Sequence, residues 1–412
     1  MKFKLISLIS LVLFLTGCWD HKELEEISYV VAIGLDKSED NKVEVTYQIA
    51  NPEVGTSLTG SPPPNEQPFE NITIIANDFL TARNTVNAFI GRQLSFSQTQ
   101  VLIVSEELAR SDEFIKMIYT GIRERELRKS VNLIVTKEKA SEFIDINKPL
   151  LETRPHKFYQ LMVNRARETG FVPPSDLLHF FQTTERDADL FPVIYATTKQ
   201  DDIATKNKFE DEYKAGQIPL VNKNLAQFIG TALFKEGKMV GTLNGEETRI
   251  ALILDPTIDI QDMLVTYVDP LEPKSRIACK VTVGRDMDIN MTLDKPNSKI
   301  RIKVPITLEI IGVFSQIDYS TDIKKQKQLK DHIEDHLTKK VNENINKLKQ
   351  VFGGEAYSWS LIAQRHFLTQ KQYEDFNWMK SYPSFDIEAT VKVTIEEFGQ
   401  QVQTPKLKLV ED

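Results

Sequence analysis

The sequence predicts an α+β protein whose two halves are built on different plans. Three observations carry this. From Ile27 to Thr197, apolar runs of strand length alternate with stretches of helical periodicity. After Thr198–Lys214, a charged segment nearly free of aliphatic residues, strands dominate. Within that β-rich half, residues 322–351 form one long amphipathic pattern.

The first half reads element by element. Ile27–Leu35 and Val43–Ile49 are strand-like, and Ile72–Ala76 follows a stretch from Pro52 to Pro68 rich in Gly, Ser, Thr, Pro and Asn. That composition predicts a long mobile loop. A helix is expected from Asp78, a plausible N-cap, with Phe79, Arg83, Val86 and Ile90 along one stripe. Val101–Val104 is a short apolar strand, a helix should surround Phe114, Ile118 and Ile122, and Val131–Val135 is a further strand. Helical stretches over about 155–168 and 175–186 precede the strand Phe191–Thr197. The segment Thr198–Lys214 is the best linker candidate.

In the second half, Phe228–Phe234 and Met239–Leu243 flank Lys235-Glu236-Gly237-Lys238, a hairpin in which Gly237 supplies positive φ. A short helix is expected around Glu246–Leu254, then strands near 258–268, 276–284, 287–293 and 299–314. Over 322–351, Ile323, Leu329, Ile333, Leu337, Val341, Ile345 and Leu348 make a narrow stripe among charged and amide residues. Such a helix, roughly 45 Å long, should lie on a sheet or groove with most of its circumference in water. Gly353-Gly354 provides its C-cap. The chain closes with Phe385–Phe398, where Ile387, Ala389, Val391, Val393 and Ile395 alternate with polar residues.

The leader sets the compartment. Lys2 and Lys4 precede an apolar core, Leu5 to Leu15, of about eleven residues. That fits a signal peptide and falls short of the roughly 20 residues a spanning helix needs. It ends in Leu15-Thr16-Gly17-Cys18, which resembles the bacterial lipobox. Small residues there let a peptidase grip extended backbone, and only the Cys18 thiol can accept the diacylglyceryl group. Residues 1–17 are therefore expected to be removed and Cys18 to carry the lipid, a stable anchor at about 0.8 kcal/mol per buried methylene. No later stretch is long and apolar enough to span, so the remainder is expected to be extracytoplasmic.

Composition narrows the function. Without Lys2 and Lys4 the mature chain has 49 basic against 59 acidic residues, which argues against nucleic acid and weakly against anionic headgroups. With Cys18 acylated, Cys279 has no disulfide partner; its alternating context predicts a small buried thiol. His332 and His336 stand four apart on the long helix, the spacing of a shared metal site. The zincin pattern, however, needs Glu directly after the first His, where this chain has Ile333. Two surface histidines are the expectation. The sequence has no phosphate-binding glycine loop and no Gly-x-Ser-x-Gly elbow, so no enzyme, cofactor or metal is expected.

Several blocks, in order, resemble the C subunit of bacterial spore nutrient-germinant receptors, the Ger(x)C lipoproteins. Cys18-Trp19-Asp20, Glu23-Leu24 and Val30-Val31-Ala32-Ile33-Gly34-Leu35-Asp36 look like the mature start of that family. Val104-Ser105-Glu106-Glu107-Leu108-Ala109 and Arg123-Glu124-Arg125-Glu126-Leu127-Arg128 are similar to its N-terminal domain. Gly230-Thr231-Ala232-Leu233-Phe234-Lys235, Val240-Gly241-Thr242-Leu243, Glu247-Thr248-Arg249, Trp378, Tyr382-Pro383 and the last strand up to Gly399 look like its C-terminal region. Gln98-Thr99 stands where many members carry a histidine. The resemblance implies three mixed α/β domains after the leader: 18–205, 206–298 and 299–412, the last holding the long helix. It also implies a non-catalytic protein on the outer face of the spore inner membrane, assembled with polytopic A and B subunits. The alternative is a solute-binding lipoprotein of a transporter, which would show two similar βα-alternating lobes. A lipid-anchored hydrolase is a further class, one that a substrate screen would reveal.

Overall fold

The structure, a computed structural model, describes residues 23, 26–51, 68–121, 123–147, 155–186, 189–201, 209–220, 225–284 and 287–399. Cys18 and residues 1–17, residues 52–67 of the Pro-rich stretch and residues 202–208 of the candidate linker lie outside these.

Strand β1 (Ile27–Lys37) pairs antiparallel with β2 (Val43–Ala50), and β3 (Phe69–Ala76) adds antiparallel beyond β2. Helix α1 (Phe79–Asn87) follows, capped by Asp78, whose Oδ1 accepts from the Leu80 and Thr81 amides at 2.8 and 2.9 Å. Strands β4 (Gln93–Ser95) and β5 (Val101–Ser105) both lie parallel to β1. Helices α2 (Glu106–Ala109) and α3 (Glu113–Gly121) lead to β6 (Asn132–Thr136). Helices α4 (Ala140–Ile146), α5 (Pro155–Glu168) and α6 (Leu177–Arg186) lead to β7 (Phe191–Thr197). Strand β8 (Gln227–Lys235) pairs antiparallel with β7, and β9 (Lys238–Leu243) with β8. The result is a nine-stranded sheet in the order β3-β2-β1-β5-β6-β7-β8-β9, with β4 beside β1. Its parallel centre is covered on both faces, which is why β5 is buried at every residue. The β8–β9 turn has Glu236 and Gly237 at φ 52 and 78, the two left-handed residues a tight hairpin requires.

Helix α7 (Gly245–Leu254) opens with a capping box between Asn244 and Glu247. The second sheet contains β10 (Met263–Val268), β11 (Arg276–Val283), β12 (Asp288–Thr292) and β13 (Lys299–Val313). Its inward face is the alternate set Ile300, Ile302, Val304, Ile306, Leu308 and Ile310 of β13. Then comes α8 (Ile323–Lys347), which ends in a π turn over Leu348–Phe352 and stops at Gly353, φ 64. Three short helices, α9 (Trp359–Gln364), α10 (Gln370–Phe376) and α11 (Trp378–Ser381), fold over the end of the sheet. The last strand, β14 (Asp386–Glu397), lies parallel to β13 on the edge opposite β11 and β12.

The α8 stripe packs as expected through Leu329, Ile333, Val341, Ile345 and Leu348. Ile323 departs from it: as the first helical residue it projects beyond the sheet and is 80% exposed. Of the candidate linker, both described ends are held. The Asp201 amide donates to the Gly216 carbonyl at 2.7 Å, and the Gly245 amide donates to the Tyr213 carbonyl at 2.9 Å.

Candidate functional site

Three segments distant in sequence converge where the first sheet meets the C-terminal half. They are Asp189–Phe191 entering β7, Asp255–Asp259 leaving α7, and Glu355–Ser360 leading into α9. Two main-chain acceptors fix them together: the Leu190 amide donates to the Glu355 carbonyl at 2.7 Å, and the Trp359 indole to the Leu254 carbonyl at 2.9 Å. The cleft they frame has a volume of about 500 Å3, with His179 and Arg186 on the α6 wall and Asp189, Asp255, Ser358 and Leu361 opposite.

Hydroxyl groups hold its carboxylates. Ser360 Oγ donates to Asp189 Oδ2 at 2.5 Å and Ser358 Oγ to Asp255 Oδ2 at 2.9 Å. The Thr257 amide and hydroxyl both donate to Asp255 Oδ1. Ser358 adopts φ 56, a left-handed conformation that costs a non-glycine residue energy. Beneath them Glu355 is fully buried, accepting from the Tyr357 and Ser360 amides. Burial pushes Glu355 well above the usual carboxylate range, and the neighbouring Asp189 charge pushes it further. Asp189 is itself raised, again chiefly by burial, while bonds from Glu355 and Ser360 and the charge of Arg186 oppose the shift. Two adjacent buried carboxyls cannot both ionise cheaply, so the pair holds a proton between them. Chemically this is a protonated seam between two sheets, a place where pH acts on packing.

A second tie crosses the same junction. Arg249 of α7 is buried, and its Nε and Nη2 donate to the Thr169 carbonyl at 3.1 and 2.8 Å. Its Nη1 donates to the Leu264 carbonyl of β10 at 3.1 Å, and its guanidinium lies 4.0 Å from the centre of the Phe171 ring. One side chain thus joins the end of α5, α7 and the second sheet.

The residues singled out from the sequence fall as follows. Cys18 lies outside the described residues. Cys279 faces the core of the second sheet, where burial pushes its thiol up to about 12. His332 and His336 lie on α8, and the His336 ring meets Tyr267 edge-on at 6.0 Å. Burial, then Lys340, His332 and Arg276, lower the His336 pKa, so its imidazole is neutral at ordinary pH. Among the described residues, no group of three or more His, Cys, Asp or Glu is placed to hold a metal ion. None of the described helices is long and apolar enough to cross a membrane. Thr99, of the Gln98-Thr99 pair where the resemblance leads to the expectation of a histidine, is buried and donates to the Val30 carbonyl at 3.0 Å. Sequence reasoning missed Asp189, Glu355 and Asp255. The one signal was the pair of acids bracketing hydroxyl-rich turns, and such turns are common.

Comparison with known proteins places the whole described body. The model for the spore germination protein N-terminal domain matches residues 20–194, and that for the spore germination B3/GerAC like C-terminal region matches residues 229–399. Spore germination protein KC of Bacillus subtilis (strain 168) is 23% identical over 403 residues, spanning 94% of this chain and 93% of its own length. Spore germination protein B3 of the same organism is 27% identical over 139 residues, 34% of this chain and 36% of that one. Among solved structures, the crystal structure of the GerBC protein superposes with a TM-score of 0.53 at 13% identity, covering 88% of this chain and 96% of that chain. At this identity the likeness is one of fold.

Proposed function

Since this chain belongs to the germinant-receptor C-subunit family, the spore germination B3/GerAC-like proteins, we propose that it is the lipid-anchored, non-catalytic subunit of one such receptor. In this reading Cys18 carries the lipid and the folded body lies on the outer face of the spore inner membrane. It assembles there with polytopic A and B subunits and is needed for nutrient-triggered germination. The observation that carries the reading is the order of the two family matches. Together they span residues 20–194 and 229–399, and the first begins two residues after the cysteine of Leu15-Thr16-Gly17-Cys18. Tethering gives the assembly its physical logic. A lipid anchor confines the protein to its partners' membrane and raises their effective concentration, so weak contacts suffice.

The test is a deletion in spores from which other nutrient receptors have been removed. Such spores should fail to answer the nutrient served by this receptor, yet germinate with a trigger that bypasses nutrient receptors. Mass spectrometry of the native N-terminus should find a diacylglyceryl cysteine at Cys18, and Cys18→Ala should partly reproduce the deletion. A normal nutrient response in the deleted strain removes the receptor assignment.

A further inference from the structure

We infer that the end of the first sheet at which β1 begins faces the bilayer, docking on anionic phospholipid headgroups through residues 123–129 and Phe89. The inference rests on the anchoring of Cys18 proposed above. Ile27, the first residue of β1, comes nine residues after Cys18. Nine residues of fully extended chain reach no more than about 30 Å. Whatever surrounds the start of β1 is therefore held near the membrane surface.

Strand pairing and hydrogen bonds identify those surroundings. Ile27 pairs with Gln93 and Tyr29 with Ser95, so β4 shares the start of β1. The Leu94 amide donates to Asn87 Oδ1 at 2.9 Å, which brings the end of α1 to the same level. Just past that end, Phe89 is 61% exposed. The Ser95 hydroxyl and Phe96 amide donate to Glu126 Oε2 at 3.1 and 3.2 Å, pinning the loop of residues 123–129 alongside.

The loop separates its charges. Arg83 takes Glu124 and Glu126, each at 3.3 Å. Arg123, Arg125, Arg128 and Lys129 are exposed, and the structure gives them no ion pair among the described residues. Of the other acids at this end, Asp176 is engaged by His179 at 2.7 Å, while Glu23 and Glu26 before β1 and Glu70 of β3, level with Val30 through Ile49, are exposed. Those three glutamates keep the surface from adsorbing as a polybasic segment would. The loop therefore orients a molecule that the lipid already holds, each basic side chain favouring contact with an anionic leaflet by about fivefold. Phe89 adds an apolar contact at the headgroup boundary. Although the whole chain is acidic, this loop gathers four exposed basic side chains.

The experiment uses the full-length lipidated chain with one introduced thiol, Phe89→Cys or Asn41→Cys, labelled with an environment-sensitive fluorophore. Asn41 lies in the β1–β2 turn at the opposite end of β1, and buried Cys279 does not compete for the label. Vesicles are phosphatidylcholine alone or mixed with phosphatidylglycerol, both carrying headgroup spin labels as quenchers. The protein should float with both kinds. On anionic vesicles, quenching at residue 89 should exceed that at residue 41 by about twofold or more, and high salt should abolish the difference. The combined variant R123E/R125E/R128E/K129E should abolish it too. Equal quenching at the two positions, with flotation on neutral vesicles retained, overturns this surface and leaves the anchor standing. Failure to float on neutral vesicles overturns the anchor and the inference with it.

Discussion

Asp36 is the last residue but one of β1, yet it caps a helix 104 residues further along. Its two carboxylate oxygens accept from the Ala140 and Ser141 amides at 2.7 and 2.9 Å, serving the first turn of α4 as an N-cap would. Gly34 permits the approach: a Cβ there would stand 2.8 Å from Ile144 Cδ1 and 3.3 Å from Ala140 Cβ. The block Val30–Asp36 is thus a buried strand, a docking groove and a remote cap in seven consecutive residues. Glu355 has the opposite character, with nothing local to mark it. Because it keeps its proton in the folded protein where the unfolded chain has lost it, the folded state binds more protons above the ordinary glutamate value of 4.5. Its contribution is complete below that value, and stability should fall as pH rises toward the raised folded pKa. Glu355→Gln, which cannot ionise, should flatten this decline in urea melts followed from pH 4 to 8. Parallel pH profiles for the two proteins would remove the seam as a titrating element. The family blocks were legible because each is a local cluster of packing and capping roles. The seam was not, since its carboxyls meet only after two sheets have come together.

At the scale of elements, α8 does more than bury a stripe. Asn342 donates through Nδ2 to the Ala389 carbonyl at 2.8 Å and accepts the Ala389 amide through Oδ1 at 3.0 Å. Thr338 Oγ1 accepts the Val391 amide at 3.1 Å, and Glu334 Oε2 the Val393 amide at 3.0 Å. Four residues of helix advance about 6.0 Å and two of strand about 6.7 Å, so a helix running antiparallel to β14 meets every outward amide in turn. The side chains stand where another strand would pair, which protects an edge otherwise open to association. Asn342→Ala should cost about 1–2 kcal/mol. It should also speed hydrogen exchange at the Ala389 amide and give concentration-dependent dimers in light scattering. Unchanged exchange at Ala389 and Val391 would show that water serves the edge as well as the helix does. The stripe was readable from its period, but the ladder was not: Glu334, Thr338 and Asn342 look like any solvated helix face. Strand β4, with three residues, and α2, with four, were unreadable because no period develops over so short a span.

Across the whole molecule, main-chain pairing runs past both expected internal boundaries. β7 pairs with β8 from Phe191↔Phe234 to Thr197↔Gln227 on either side of residue 206, and β11 pairs with β13 on either side of residue 299. We propose that the regions 18–205, 206–298 and 299–412 unfold as one cooperative body, held at the junction by Arg249, Leu190 and Glu355. A protease site engineered between residues 202 and 208 tests this without disturbing any described strand. After cleavage the two pieces should co-elute in gel filtration, because sheet pairing and the Thr169–Arg249 bonds still join them. Arg249→Ala should cost about 3 kcal/mol by removing the charged donor of the Thr169 and Leu264 carbonyls and the ion-pair partner, at 3.7 Å, of half-buried Asp211. In the cut protein, where the chain no longer enforces proximity, the same loss should appear as dissociation on dilution. Separation of the unmutated pieces immediately after cleavage would mean that the covalent connection, and not the shared sheet, keeps the halves together.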